Sequence, residues 1–123
     1  MYEYHSKFKS NLKVRCYGFS LALISFIDSL NNNRSSWIIG DQLLRSGTSV
    51  GANLVEATSS SSRLEFKKFH EISLKSANET KYWLGLLRDS GKAEKEKVDK
   101  LLEEITEIAN MIAAGILRLK TKL

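Results

Sequence analysis

The chain has 123 residues, one cysteine and no proline, and its 19 Lys+Arg against 14 Asp+Glu leave a net charge of +5 at pH 7. That length suits one domain spanning residues 1–123, able to bury its own core without metals or disulfides. Cys16 stands alone, which excludes an internal disulfide and fits a reducing compartment.

The N-terminal segment MYEYHSKFKS is polar where a signal peptide needs an apolar stretch. No apolar run reaches the ~18 residues of a membrane span. The sequence therefore predicts a cytoplasmic protein with no membrane association. The positive balance admits an acidic partner such as RNA or DNA, and equally serves solubility.

Residues 1–10 read as a short polar arm carrying Tyr2, Tyr4 and Phe8. A first helix follows from about residue 11 to 31. Cys16, Phe19, Leu23, Phe26, Ile27 and Leu30 recur at three- and four-residue spacing. Leu12, Leu21, Ala22 and Ile24 widen that stripe, which predicts cover on more than one side, from the bundle or a second subunit. The NNNRSS run at 31–36 is a turn by composition, and Ser35 or Ser36 is expected to cap the next helix.

The second helix is expected to reach about residue 57, with Ile39, Leu43, Val50, Leu54 and Ala57 on its apolar face. Its middle is unusual, because Ser46, Gly47, Thr48, Ser49, Gly51 and Ala52 are all small. A glycine inside a helix costs about 0.5–1 kcal/mol relative to alanine, so two so close together need a reason. Close approach of a neighbouring helix is one reason and a kink is another. The reading adopted is a continuous but locally bent helix.

TSSSS at 58–62 is the second turn, and Ser62 followed by Glu65 fits a capping box. The third helix is expected over 63–88, its stripe bulky at both ends and small at Ser73 and Ser76. Asp89-Ser90-Gly91 closes it, with Gly91 as the C-terminal cap. The last helix, about 93–119, carries Val98, Leu101, Ile105, Ile108, Ile112 and Ile116 on a broad face. From Ile108 to Leu117 only Asn110 is polar, so that stretch is expected to be covered on nearly all sides. Four helices joined by short turns make an all-α, antiparallel up-down-up-down four-helix bundle.

No catalytic constellation emerges. His70 and Glu71 are adjacent and lack the Glu-x-x-His spacing of a di-iron bundle, so no metal and no cofactor are expected. No nucleophile–base pair can be placed, and the chain is read as non-enzymatic. The basic residues are more informative. In an up-down bundle Lys7, Lys9, Lys13 and Arg15 share one end with Arg63, Lys67 and Lys68 and with Arg118, Lys120 and Lys122. Cations gathered this way can neutralise phosphates of RNA or DNA, with Ser59–Ser62 adding hydroxyls. The alternative is a protein-interaction scaffold with no nucleic-acid binding. On the second helix, Asn53 and Glu56 share a face, and Arg45 is placed to pair with Glu79 of the third. Glu56 is placed near Arg63 or Lys67. These polar residues read first as register-setting contacts between helices and second as ligand-facing groups.

The stretches Gln42-Leu43-Leu44-Arg45-Ser46, Ser49-Val50-Gly51-Ala52-Asn53-Leu54-Val55-Glu56-Ala57, Glu65-Phe66 and Ser76-Ala77-Asn78-Glu79-Thr80 carry a resemblance. The chain resembles the bacterial four-helix-bundle proteins encoded by intervening sequences of large-subunit ribosomal RNA genes. Members read Q-L-x-R-A-x-x-S-V-x-x-N-I-A-E-G, then K-E-F, then S-x-x-E-L-x-T. By that motif Gln42, Arg45, Ser49, Asn53, Glu56 and Glu79 are the matching positions. Leu54-Val55 and Ala57 stand where Ile-Ala and glycine are usual. The resemblance implies a homo-oligomer, a pentamer in the family, and kinship with the basic accessory protein of diversity-generating retroelements, which associates with nucleic acid.

Overall fold

The computed structural model describes residues 7–122, with side chains described from residue 11 to residue 120. Four helices fill this span: α1 (Lys7–Asp28), α2 (Arg34–Ala57), α3 (Arg63–Asp89) and α4 (Lys95–Lys122). Each packs on its chain neighbour, and α1 packs on α4 to close the ring. This is the expected antiparallel bundle, and short connections force it.

The turns follow local chemistry. The N-cap of α2 is Asn33, not Ser35 or Ser36, and its side chain accepts from the Ser36 N–H at 3.0 Å. Asparagine at the extended residue before Arg34 reaches that N–H, so the helix starts earlier than the serines imply. At α3 the Ser62 hydroxyl accepts from the Glu65 N–H at 3.0 Å. The Glu65 carboxylate reaches back one residue farther than a standard capping box, to the Ser61 N–H at 2.7 Å. The C-terminus of α3 closes with Lys92 N–H on the Leu87 carbonyl and Gly91 N–H on that of Arg88. Gly91 has φ +76°, a conformation that glycine adopts without a side-chain penalty.

The core runs the length of the bundle. Leu23, Leu43, Leu84, Leu87, Ile105, Ile108 and Ile112 are fully enclosed, with Cys16, Phe19, Val50 and Val98 beside them. Burial of the Cys16 thiol pushes its pKa up to about 12. Two expectations of cover are not met within one chain. On α1, Tyr17, Leu21 and Ile24 are exposed, and on α4 Leu117 is exposed together with Asn110 and Ala114. Both sets follow helical spacing, so each marks a face turned away from the other three helices.

The small residues of α2 divide between two neighbours. A Cβ on Gly47 would land inside the Leu23 side chain, and one on Gly51 would sit 3.0 Å from Cys16 Cβ. The glycines therefore admit α1, while the serines on the adjacent face meet α3. Ser46 accepts from Thr80 at 3.0 Å, Ser49 meets Ser76 at 3.1 Å, and the Ser73 hydroxyl donates to the Val50 carbonyl oxygen at 2.7 Å. Through both faces α2 remains one helix from Arg34 to Ala57.

Candidate nucleic-acid interface

The antiparallel order brings the start of α3 against the end of α4. Arg63, Phe66 and His70 face Gly115, Arg118 and Leu119 across a cleft of about 270 Å³. Gly115 lies under the Arg118 guanidinium, where even a Cβ would make only an ordinary contact at 3.8 Å. The Phe66 and His70 rings meet one turn apart, with centroids 4.4 Å apart and planes tilted by 41°. The backbone oxygen of Phe66 lies 2.9 Å from His70 Nδ1, and a carbonyl only accepts, so Nδ1 carries the proton.

Around this cleft the predicted cations differ in availability. Arg63 and Lys68 are exposed and pair with no carboxylate among the described residues, and Lys120 is exposed near the end of α4. Lys67 is largely covered and reaches Glu71 at 3.7 Å, so its charge is partly compensated on its own helix. It does not meet Glu56, whose exposed carboxylate has no partner among the described residues. Lys13 lies on the groove between α1 and α2, beside Val55. Lys7, Lys9 and Lys122 stand on helices but their side chains fall outside the described residues.

Arg15 departs from the expectation. Its Nε and Nη2 grip the two oxygens of Glu104 at 3.0 and 2.7 Å, and Nη2 also reaches Glu107 at 2.9 Å. Those hydrogen bonds, with Glu104 the stronger influence, hold the guanidinium firmly protonated. Arg15 thus fastens α1 to α4, and its charge is matched locally instead of projecting to a phosphate. Sequence periodicity could not show this, because the acids belong to the last helix and Arg15 to the first.

The motif positions form a separate constellation on the α2–α3 seam. Arg45 donates to Gln42 Oε1 at 2.7 Å and to Glu79 Oε2 at 2.9 Å. Trp83 Nε1–H donates to the same Glu79 oxygen at 2.9 Å. The Asn53 amide donates to the Ser49 carbonyl and hydroxyl at 2.8 and 2.9 Å. The predicted Arg45–Glu79 tie is present, and each motif polar group except Glu56 is engaged in fixing one helix against itself or its neighbour.

Phe66 and His70 are not among the residues expected at the basic end. The signal is present in the chain, since Arg63, Phe66 and His70 at i, i+3 and i+7 share one helical face. Among the described residues no group of three or more His, Cys, Asp or Glu side chains could hold a metal ion. No described helix is long and apolar enough to cross a membrane.

No curated protein matches the chain. A solved structure from Bacteroides thetaiotaomicron VPI-5482, a protein of unknown function from the S23 ribosomal protein family, is 34% identical over 85% of this chain and 97% of its own, with a TM-score of 0.81. The family model for the 23S rRNA-intervening sequence protein matches residues 10–114. With motif, bundle and match all spanning most of its length, this chain belongs to the 23S rRNA-intervening sequence protein family.

Proposed function

We propose that the protein is a non-enzymatic, homo-oligomeric helical bundle that binds phosphates of RNA or DNA through its basic end, as a ribonucleoprotein or ribosome-associated accessory. The observation that carries this reading is the meeting of Arg63 and Arg118 across one cleft beside the tilted Phe66–His70 ring pair. Guanidinium groups suit phosphate oxygens, and an aromatic surface beside them suits an unpaired base. Lys68 and Lys120 extend the charge without a compensating acid among the described residues. The exposed Tyr17, Leu21 and Ile24 stripe of α1 supports self-association, since a subunit contact would remove that apolar surface from water. The pentameric count rests on the family resemblance alone.

Filter retention of a labelled single-stranded RNA and a duplex DNA, measured against salt, tests the binding. Replacing Arg63, Lys67 and Lys68 with alanine is expected to weaken retention strongly. For duplex DNA, the salt slope should fall by about 0.9 for each phosphate that the variant no longer neutralises. Absence of retention at low salt refutes it. The exposed α1 stripe equally fits a scaffold that docks a different protein. Retained oligomers with no nucleic-acid binding, and a specific protein partner recovered through α1, would favour that reading. Light scattering on the intact protein counts the subunits, and a monomer refutes the oligomer.

A further inference from the structure

At the end of the bundle opposite the basic cleft, the turn from α1 to α2 encloses a second cleft of about 380 Å³. Its chemistry is reversed. Asp28 from the last turn of α1 and Asp41 from α2 both line it, together with Trp37, Ser36 and Gly40. Neither carboxylate has an ion-pair or hydrogen-bond partner among the described residues. Of the other carboxylates near this end, Asp89 and Asp99 are tied to Arg88 and Glu94 to Lys97, while Glu96 is unpaired among the described residues but does not line this cleft.

Two further features point to a ligand. Ser36 is only 1% exposed, and its hydroxyl has no hydrogen-bond partner, which a buried polar group rarely tolerates. Trp37 is the opposite, an indole left 72% exposed on the rim. A chain that needed Trp37 only for its core would have buried it. Unpaired carboxylates, an open aromatic face and an unsatisfied hydroxyl together describe a receptor for a positively charged nitrogen. The carboxylates supply charge, the ring supplies cation–π attraction, and the hydroxyl accepts an N–H. The C-terminal end of α1 and the N-terminal turn of α2 meet at this cleft, so their backbone dipoles offset and the two carboxylates set its charge. Arg34 opens α2 nearby but does not line the cleft. Its volume falls in the range of small-molecule sites.

We propose that this cleft binds an organic cation, an ammonium or guanidinium group on an aliphatic chain, with Asp28 and Asp41 as its counter-charges and Trp37 as its aromatic wall. Such a group belongs either to a free polyamine or to an arginine side chain of another protein copy. The site stands apart from the basic end and does not depend on nucleic-acid binding.

Calorimetric titration of the intact protein with spermidine, and separately with N-acetyl-arginine amide, tests it. Saturable binding at one site per chain is expected for at least one probe. Replacing both aspartates (Asp28→Asn, Asp41→Asn) should weaken it by about tenfold or more, since the charge-assisted hydrogen bonds become neutral ones. Glu56→Gln at the other end should leave it unchanged. Both aspartates are exposed, so the variants are expected to fold, and thermal melting verifies that. Binding of spermidine points to a free polyamine, and binding of the arginine probe alone points to a protein side chain. Absence of saturation with both probes overturns the proposal. So does binding that survives the double substitution.

Discussion

Alanine at position 47 sets two familiar effects against each other at one atom. In an exposed helix interior, glycine to alanine stabilises by about 0.5–1 kcal/mol through reduced backbone freedom in the unfolded chain. At Gly47 the new methyl would overlap Leu23, a fully buried side chain wedged beside Phe19. The overlapping atom is the end of the Leu23 side chain, and because Leu23 is fully buried its shift must displace packed neighbours. Overpacking of this kind costs about 1–3 kcal/mol. The difference leaves Gly47→Ala destabilised by up to about 2.5 kcal/mol, a fall in Tm of up to roughly 10 °C for a domain of this size. Gly18 and Gly85 serve as internal controls, because a Cβ at either meets nothing within 4 Å. Gly18→Ala and Gly85→Ala should therefore gain about 0.5–1 kcal/mol by the same chemical change. Urea denaturation monitored by circular dichroism reads all three. If Gly47→Ala is as stable as Gly18→Ala, the glycine does not serve α1–α2 approach. A double-mutant cycle with Leu23→Ala adds a second check. Removing Leu23 opens the space the methyl needs, so the two changes should couple by about 1 kcal/mol or more.

Two further outcomes follow from the packing. Arg15→Ala should reduce stability by about 1 kcal/mol, the range of a well-formed surface ion pair, yet leave nucleic-acid retention within about twofold of wild type. Loss of retention as deep as that from Arg63→Ala would show instead that Arg15 reaches the phosphates. The Cys16 thiol should resist alkylation at about pH 8 in the folded protein and react at the ordinary rate once denatured. Its folded pKa of about 12 lies above the ordinary value of 9.0, so the unfolded chain releases this proton first. The contribution is therefore present in full below pH 9 and is lost as pH rises towards 12. Cys16→Ala should flatten the loss of stability over that window. An alkylation rate in the native protein equal to that of a free thiol would refute the burial.

Several of these contacts are legible in the chain alone. The apolar spacing along each helix selects the face that turns inward, and Leu23, Leu43, Leu84 and Ile112 all lie where it points. Ser62 with Glu65 and Gly91 announce the ends of α3, because capping is a property of adjacent residues. The Arg45–Glu79 tie is also within reach, since a turn of known length relates positions on two antiparallel helices. Asn33 is harder to single out as a cap, because asparagines and serines compete at that turn and only backbone geometry selects among them.

Features that depend on distant partners cannot be read this way. The residues of α2 show that its middle is small, but not that Gly47 and Gly51 turn to α1 while Ser46 and Ser49 turn to α3. Composition places Arg15 with the other cations, and only the α1–α4 seam commits it to Glu104 and Glu107. The cleft of Asp28, Asp41 and Trp37 is likewise invisible in a linear chain, since its walls come from two helices and the turn between them. Spacings within one helix and the shortness of the turns are enough to specify four amphipathic helices, the ends of α3 and their antiparallel order. Which charges stay open to a partner is settled only on folding, because a side chain's availability is set by the neighbours that the fold brings against it.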